Sequence, residues 1–319
     1  SSKIIWNFLD HLSIGSARYM ELLYVLSLKV LLILLIYNLT FFIKLNSFYK
    51  NIFFILNAII INQLTDYNLT TIDLITFREI PVIFLTLLFL LLLRFNNNII
   101  VLSLISLTSV ISMLWGIDRG LVCNILIIFI CLYLLFSKNF KKFYLLLSLV
   151  ILSWLLFFFY NQNEFYYFLD NTISIYKNMN YVHGLIHPIP FSSDPDSARA
   201  SKNIITILIC LILSLKIIFD KETLFNNNLK RSLFFLSLIC VLSYIYALGR
   251  SDGAHIKHTF GLPIFTLSIY IFYYLCFFFE KKNIGYFKKI IVFIFIFFLS
   301  FNNSINFNNL KDYNEKLND

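Results

Sequence analysis

Polarity along the chain changes in long blocks rather than residue by residue. Apolar runs occupy about 20–43, 51–62, 80–93, 99–116, 121–136, 143–160, 203–219, 232–247, 261–279 and 287–301. Coiled into helices, most of them come close to the length needed to cross a hydrocarbon layer roughly 30 Å thick. The strict alternation that marks a membrane β-barrel is absent. The pattern predicts an all-α polytopic transmembrane bundle of nine or ten spans. It reads as a single domain over 1–319, with a long loop at 161–202 and a polar tail at 302–319. The run 51–62 would make a helix of only about 18 Å. It either spans with help from its polar flanks or lies re-entrant.

Composition agrees with lipid as the main solvent: 59% of residues are hydrophobic, 13% are charged and mean hydropathy is +0.79. The formal net charge of +9 does not point to nucleic acid, because the basic residues sit in short loops between apolar runs. Counted over alternate loops, thirteen Lys and Arg fall in the set at 44–50, 94–98, 137–142, 220–231 and 280–289, against seven in the other set. The richer set is expected to face the cytoplasm. Loops 63–79, 117–120, 161–202 and 248–260 then lie together on the outer side and hold most of the acids. Cys123, Cys131, Cys210, Cys240 and Cys276 sit in or beside apolar runs without metal-site spacing, and read as small hydrophobes.

The outer loops carry the candidate chemistry. Leu248–His258 packs Arg250, Asp252, His255, Lys257 and His258 between two apolar runs, with Gly249 and Gly253 allowing tight turns. Arg250 suits a phosphate held bidentately, and Asp252 or His255 suits proton transfer. Asp252, His255 and His258 at three-residue steps form a weak pattern for a divalent metal, so no metal or other cofactor is assigned. Asp194-Pro195 has the form of a helix N-cap followed by proline at the first helical position. Asp196, Arg199 and Lys202 would share one face of that helix, at the end where an anion is attracted. The loop Ile117–Gly120 brings Asp118 and Arg119 to the membrane surface. Residues 163–176 have helical spacing of aromatics and predict an interfacial helix. In loop 63–79, Arg78 and Glu79 precede Pro81 and read as capping and snorkelling residues.

This layout resembles the C-type (GT-C) superfamily of membrane glycosyltransferases. The Asp118-Arg119 loop, the segment from Asp194 to Lys202, and Gly249-Arg250-Ser251-Asp252 with His255 look like the outer polar elements of its bacterial members. The resemblance implies an enzyme of the bacterial cytoplasmic membrane with an outward-facing site. Its partners would be a polyprenyl-phosphate-linked sugar, a glycan or lipid acceptor, and membrane lipids, with no nucleic acid. Asp118, Asp252 and His255 would be catalytic. Arg119, Asp194, Asp196, Arg199, Lys202, Arg250 and His258 would bind substrate. That superfamily places its catalytic acid in the first outer loop, after the first span. Here its counterpart is Asp10 or Asp66, or lies in a segment preceding Ser1. A surface-polysaccharide polymerase or ligase is the alternative within enzymes, and a transporter or flippase the alternative outside them. The transporter reading expects ionisable residues deep in the membrane, where Lys29 and Lys216 are the candidates.

Overall fold

The computed structural model describes residues 14–65, 74–95, 98–160, 162–178, 190–193, 197–219, 226–247 and 258–281. These residues form ten α-helices and no strand: α1 Ile14–Thr40, α2 Ser47–Leu64, α3 Ile80–Arg94, α4 Ile99–Trp115, α5 Ile117–Phe136, α6 Phe140–Tyr160, α7 Gln162–Lys177, α8 Ser197–Phe219, α9 Asn227–Ala247 and α10 Gly261–Lys281. A single 3-10 turn, Phe77–Glu79, precedes α3. The structure is the expected all-helical bundle. Helices α5, α6, α8 and α10, and the stretch Leu23–Thr40 of α1, are long and apolar enough to cross a membrane. The protein is therefore read as an integral membrane protein. The run 287–301 lies outside the described residues.

Helix α3 is the pillar of the bundle. Pro81 starts it, where a missing N–H costs no helical hydrogen bond. Apolar residues all round its surface fit a helix enclosed by others rather than one facing solvent on one side. It is enclosed in that way: Val82, Leu85, Leu88, Leu90 and Leu92 are buried against α1, α4, α5 and α9. By contrast α6 buries only Leu146 and Ser153 fully; Phe143, Leu145, Leu149 and Val150 lean on the core, and its outer side, with Leu147, Ile151, Leu152, Leu155 and Phe159, is exposed and left for lipid.

The short run at 51–62 becomes the eighteen-residue helix α2, about 27 Å long. Its polar flanks make the difference. Asn46 caps its start by accepting a hydrogen bond from the Tyr49 N–H at 3.1 Å. Beside that cap, the Asn46 N–H donates to Glu280 at the end of α10. At the other end Ile75 N–H donates to Leu64. The helix thus runs from one end of the bundle to the other and is not re-entrant. The expected interfacial helix is α7, whose Phe165 and Phe168 pack edge-on against Phe157 at the end of α6. Tyr166, Tyr167 and Ile173 on it stay exposed.

Contacts between loops establish which segments share an end. Arg78 meets Asp118, so the turn at 77–79 lies beside the α4–α5 junction. Gly261 seats the start of α10 directly on the Leu74 carbonyl, where a Cβ would collide. Asn203 Nδ2 donates to Thr259 Oγ1 at 2.8 Å, which brings in the first turns of α8. The described parts of the four loops grouped by charge counting accordingly gather at one end of the bundle.

Candidate functional site

Four charged side chains from two hairpins meet at that end. Trp115 ends α4, Gly116 is extended, and α5 begins at Ile117, which places Asp118 and Arg119 in its first turn. The 3-10 turn before α3 supplies Arg78 and Glu79. Arg78 Nη2 donates to Asp118 Oδ2 at 2.9 Å. Arg119 Nη2 is ion-paired with Glu79 Oε1, and Arg119 Nη1 lies 3.6 Å from Asp118 Oδ2. Tyr24 of α1 closes the side, stacked on Phe77 at 5.8 Å and edge-on to Trp115 at 5.5 Å.

Exposure divides the cluster into two halves. The Arg119 and Glu79 side chains are 5% and 4% exposed, whereas Arg78 is 43% exposed and Asp118 is 9% exposed. Glu79 and Arg119 form a buried tie between the turn and α5. Arg78 and Asp118 form the part that meets the surface. Burial pushes the Glu79 carboxyl above its ordinary range, and the Arg119 guanidinium opposes that shift. Glu79 Oε2 accepts no hydrogen bond among the described residues, so the tie is held through one carboxylate oxygen.

Below the cluster a polar seam crosses α4, α5 and α6. Ser109 Oγ donates to Asn124 Oδ1 at 2.5 Å. Asn124 Nδ2 donates to the Ser109 and Gly120 carbonyls, and Trp154 Nε1 donates to Ser109 Oγ at 2.8 Å. Next to the seam, a groove of about 610 Å³ opens between the C-terminal halves of α4 and α6. Leu107, Ile111, Leu156, Phe157 and Tyr160 line it, with Ser153 at its wall. The amphipathic helix α7 starts at its rim, so an apolar channel, an interfacial aromatic helix and a charged cluster share one end of the fold.

Of the residues expected to form a site, Asp118 and Arg119 are brought together, and they collect two more that the sequence had assigned to capping and snorkelling. Glu79 makes no side-chain cap bond; it is the buried partner of Arg119. A Glu directly before an apolar run, forty positions from an equally placed Arg, was the only available signal. Arg199 and Lys202 are exposed on the first turns of α8 and His258 is half-buried ahead of α10, all at the same end. Asp194, Asp196, Arg250, Asp252 and His255 lie outside the described residues, as do Asp10 and Asp66.

Gly116 gives a local handle on the exposed half. A Cβ there would lie 2.7 Å from Asp118 Oδ1, the tip of a side chain, and its φ of −176° suits any residue. Gly116→Ala should therefore displace the Asp118 carboxylate from Arg78 while the fold is kept. The expected result is an unchanged unfolding midpoint with whatever activity depends on Asp118 reduced; a fall in midpoint of the size seen for core variants would contradict it.

The chain matches no known family, no curated protein and no solved structure.

Proposed function

We propose that this chain is an integral membrane glycosyltransferase that moves a sugar from a lipid-phosphate carrier to a glycan or lipid acceptor on the outer side of the membrane. One observation carries the reading: Arg78, exposed and held by Asp118, stands at the same end as a lipid-facing apolar groove rimmed by α7. A lipid-linked polar substrate needs that combination, with a channel for the chain and fixed charge for the head. The chain of the donor would lie between α4 and α6, and its phosphate would reach Arg78, with Arg199 and Lys202 as further cations of that end and Arg250 as the further cation proposed from the sequence. In the transfer, the acceptor oxygen attacks the anomeric carbon as its proton passes to a carboxylate. The bond from that carbon to the phosphate oxygen breaks, and the departing phosphate carries the charge that the cations stabilise. Asp118 is the candidate base within the described residues, with Asp252 and His255 the further candidates from the sequence. Arg119 is turned inward onto Glu79, so its part is to hold Asp118 in place.

The transporter reading loses support from the position of Lys29. This residue lies five positions along α1 from Tyr24, about 8 Å below the charged end, and donates to Asn62 Oδ1 at 3.0 Å. Lys216 is exposed near the end of α8. Neither is a central ionisable group of the kind that transport requires.

The deciding experiment measures sugar transfer from a polyprenyl-phosphate sugar in membranes holding the full chain. Arg78→Ala and Asp118→Asn should each lower transfer by about 10²-fold or more, with the protein still eluting as a folded species. Full activity in both variants would end this assignment. Labelling of a cysteine placed at 117 from the outer side checks the orientation.

A further inference from the structure

The opposite end of the bundle holds a second polar cavity, of about 300 Å³, between the ends of α3 and α5 and the starts of α6 and α9. Leu92, Leu93 and Leu134 line part of it, with the Leu93 carbonyl accepting from Asn228. It is also lined by Arg231, Lys142, Tyr133, Ser137, Asn139 and Asn228, and no carboxylate lines it among the described residues. Such a cavity, lined mainly by cations and neutral polar groups at the end of the apolar helices α5 and α6, lies where a membrane boundary would fall.

The rim is built rather than accidental. Asn228 Nδ2 donates to the Leu93 carbonyl at 3.0 Å, fastening the first turn of α9 to the end of α3. Arg231 Nη1 donates to Tyr133 Oη at 2.9 Å, and its guanidinium lies 5.1 Å from the centre of that ring. The Tyr133 ring stands edge-on to Phe89, which stacks on Phe235 at 4.3 Å. Tyr133, backed by Phe89 and Phe235, thus holds one face of the exposed Arg231 guanidinium. No carboxylate pairs with Arg231 among the described residues. The facing wall is the α5–α6 turn, closed by hydrogen bonds from Ser137, Lys138 and Asn139 back into the last turn of α5. Lys138 there adopts a left-handed φ of 57°, the conformation that ends a helix. That sharp turn brings Lys142 back to the cavity.

We propose that this cavity binds a phosphate monoester or diester at the membrane boundary, with Arg231 and Lys142 as the cations and Tyr133 as the hydroxyl partner. Cavities of this composition between membrane helices suit anionic lipid headgroups, and a guanidinium fixed on an aromatic ring presents its remaining donors as a fork. The proposal is independent of the reading of the other end.

The test uses the purified full chain in phosphatidylcholine nanodiscs. Phosphatidylglycerol in the disc is one arm, and inorganic phosphate added to the phosphatidylcholine disc is the other. Thermal unfolding and the number of retained lipids by native mass spectrometry are read in both. Phosphatidylglycerol should raise the midpoint of the wild type, with affinity about tenfold or more weaker in Arg231→Gln and in Lys142→Gln. Lys281→Gln, a charge-matched change in the last turn of α10, should keep it. A shift with inorganic phosphate alone, lost in the same variants, supports the site and identifies free phosphate as its ligand. Ser137→Asp serves where a cation variant does not fold, because it places a carboxylate at the rim and should abolish binding. No shift in either arm, or a shift that survives Arg231→Gln and Ser137→Asp, overturns the proposal.

Discussion

Arg119→Ala should destabilise the protein by about 3–5 kcal/mol, the largest loss expected from any single charged residue described. The reason is the charge left behind. Glu79 is only 3% exposed, and with the guanidinium gone its ionised form would have no compensating cation at hydrogen-bond distance except by moving Arg78 off Asp118. Glu79→Ala should cost a similar amount for the mirror reason. Replacing both at once, Glu79→Leu with Arg119→Met, removes the unpaired charge and leaves apolar volume, so the double variant should recover most of the loss. Reversible unfolding of the full chain in detergent, followed by tryptophan fluorescence, measures all three. A double variant as unstable as the singles would mean that the pair acts through a wider network than Tyr24, Phe77 and Trp115.

The same pair shows where sequence reasoning stops. Block polarity located nine of the bundle's helices, because each run must satisfy its backbone within itself once water is excluded. Aromatic spacing located α7. Charge counting grouped the loops that the contacts of Arg78, Gly261 and Asn203 then join. Pairing within the grouped end was not legible. Arg78 and Glu79 are neighbours in sequence with the same apolar flank, yet the 3-10 turn sends one outward and the other into the protein. A turn of three residues per repeat separates adjacent side chains by about 120°, and nothing in composition announces it. The helix starts were misjudged in a consistent direction. Helices α2 and α9 begin about four to five residues before their apolar runs, at Ser47 and Asn227, because polar first turns are solvated at the boundary while still helical; α8, which the Asp194-Pro195 cap signal already started ahead of its run, is helical from Ser197. That is where the candidate cations Arg199, Lys202 and Arg231 come to lie.

Gly120→Ala should be among the most damaging conservative changes in the bundle. A Cβ at this position would lie 2.5 Å from Met113 Cα and 2.7 Å from Met113 N. Both are backbone atoms, so no rotamer change relieves the contact and α4 must move away from α5. Alanine is the better helix former by about 1 kcal/mol, which opposes the effect, but forced separation of a packed pair costs about 1–3 kcal/mol or more. Separation should win, because it is felt beyond one contact. Asn124 bridges the two helices by its bonds to the Ser109 and Gly120 carbonyls, and Trp154 of α6 is fastened to the same Ser109 hydroxyl. Moving α5 also carries Asp118 and Arg119 with it, so stability and the proposed sugar transfer should fall together. This distinguishes Gly120→Ala from Gly116→Ala, in which only the Asp118 carboxylate is displaced. If Gly120→Ala unfolds like the wild type, close contact between α4 and α5 is not what positions the charged cluster, and the positioning role passes to the Glu79–Arg119 pair alone.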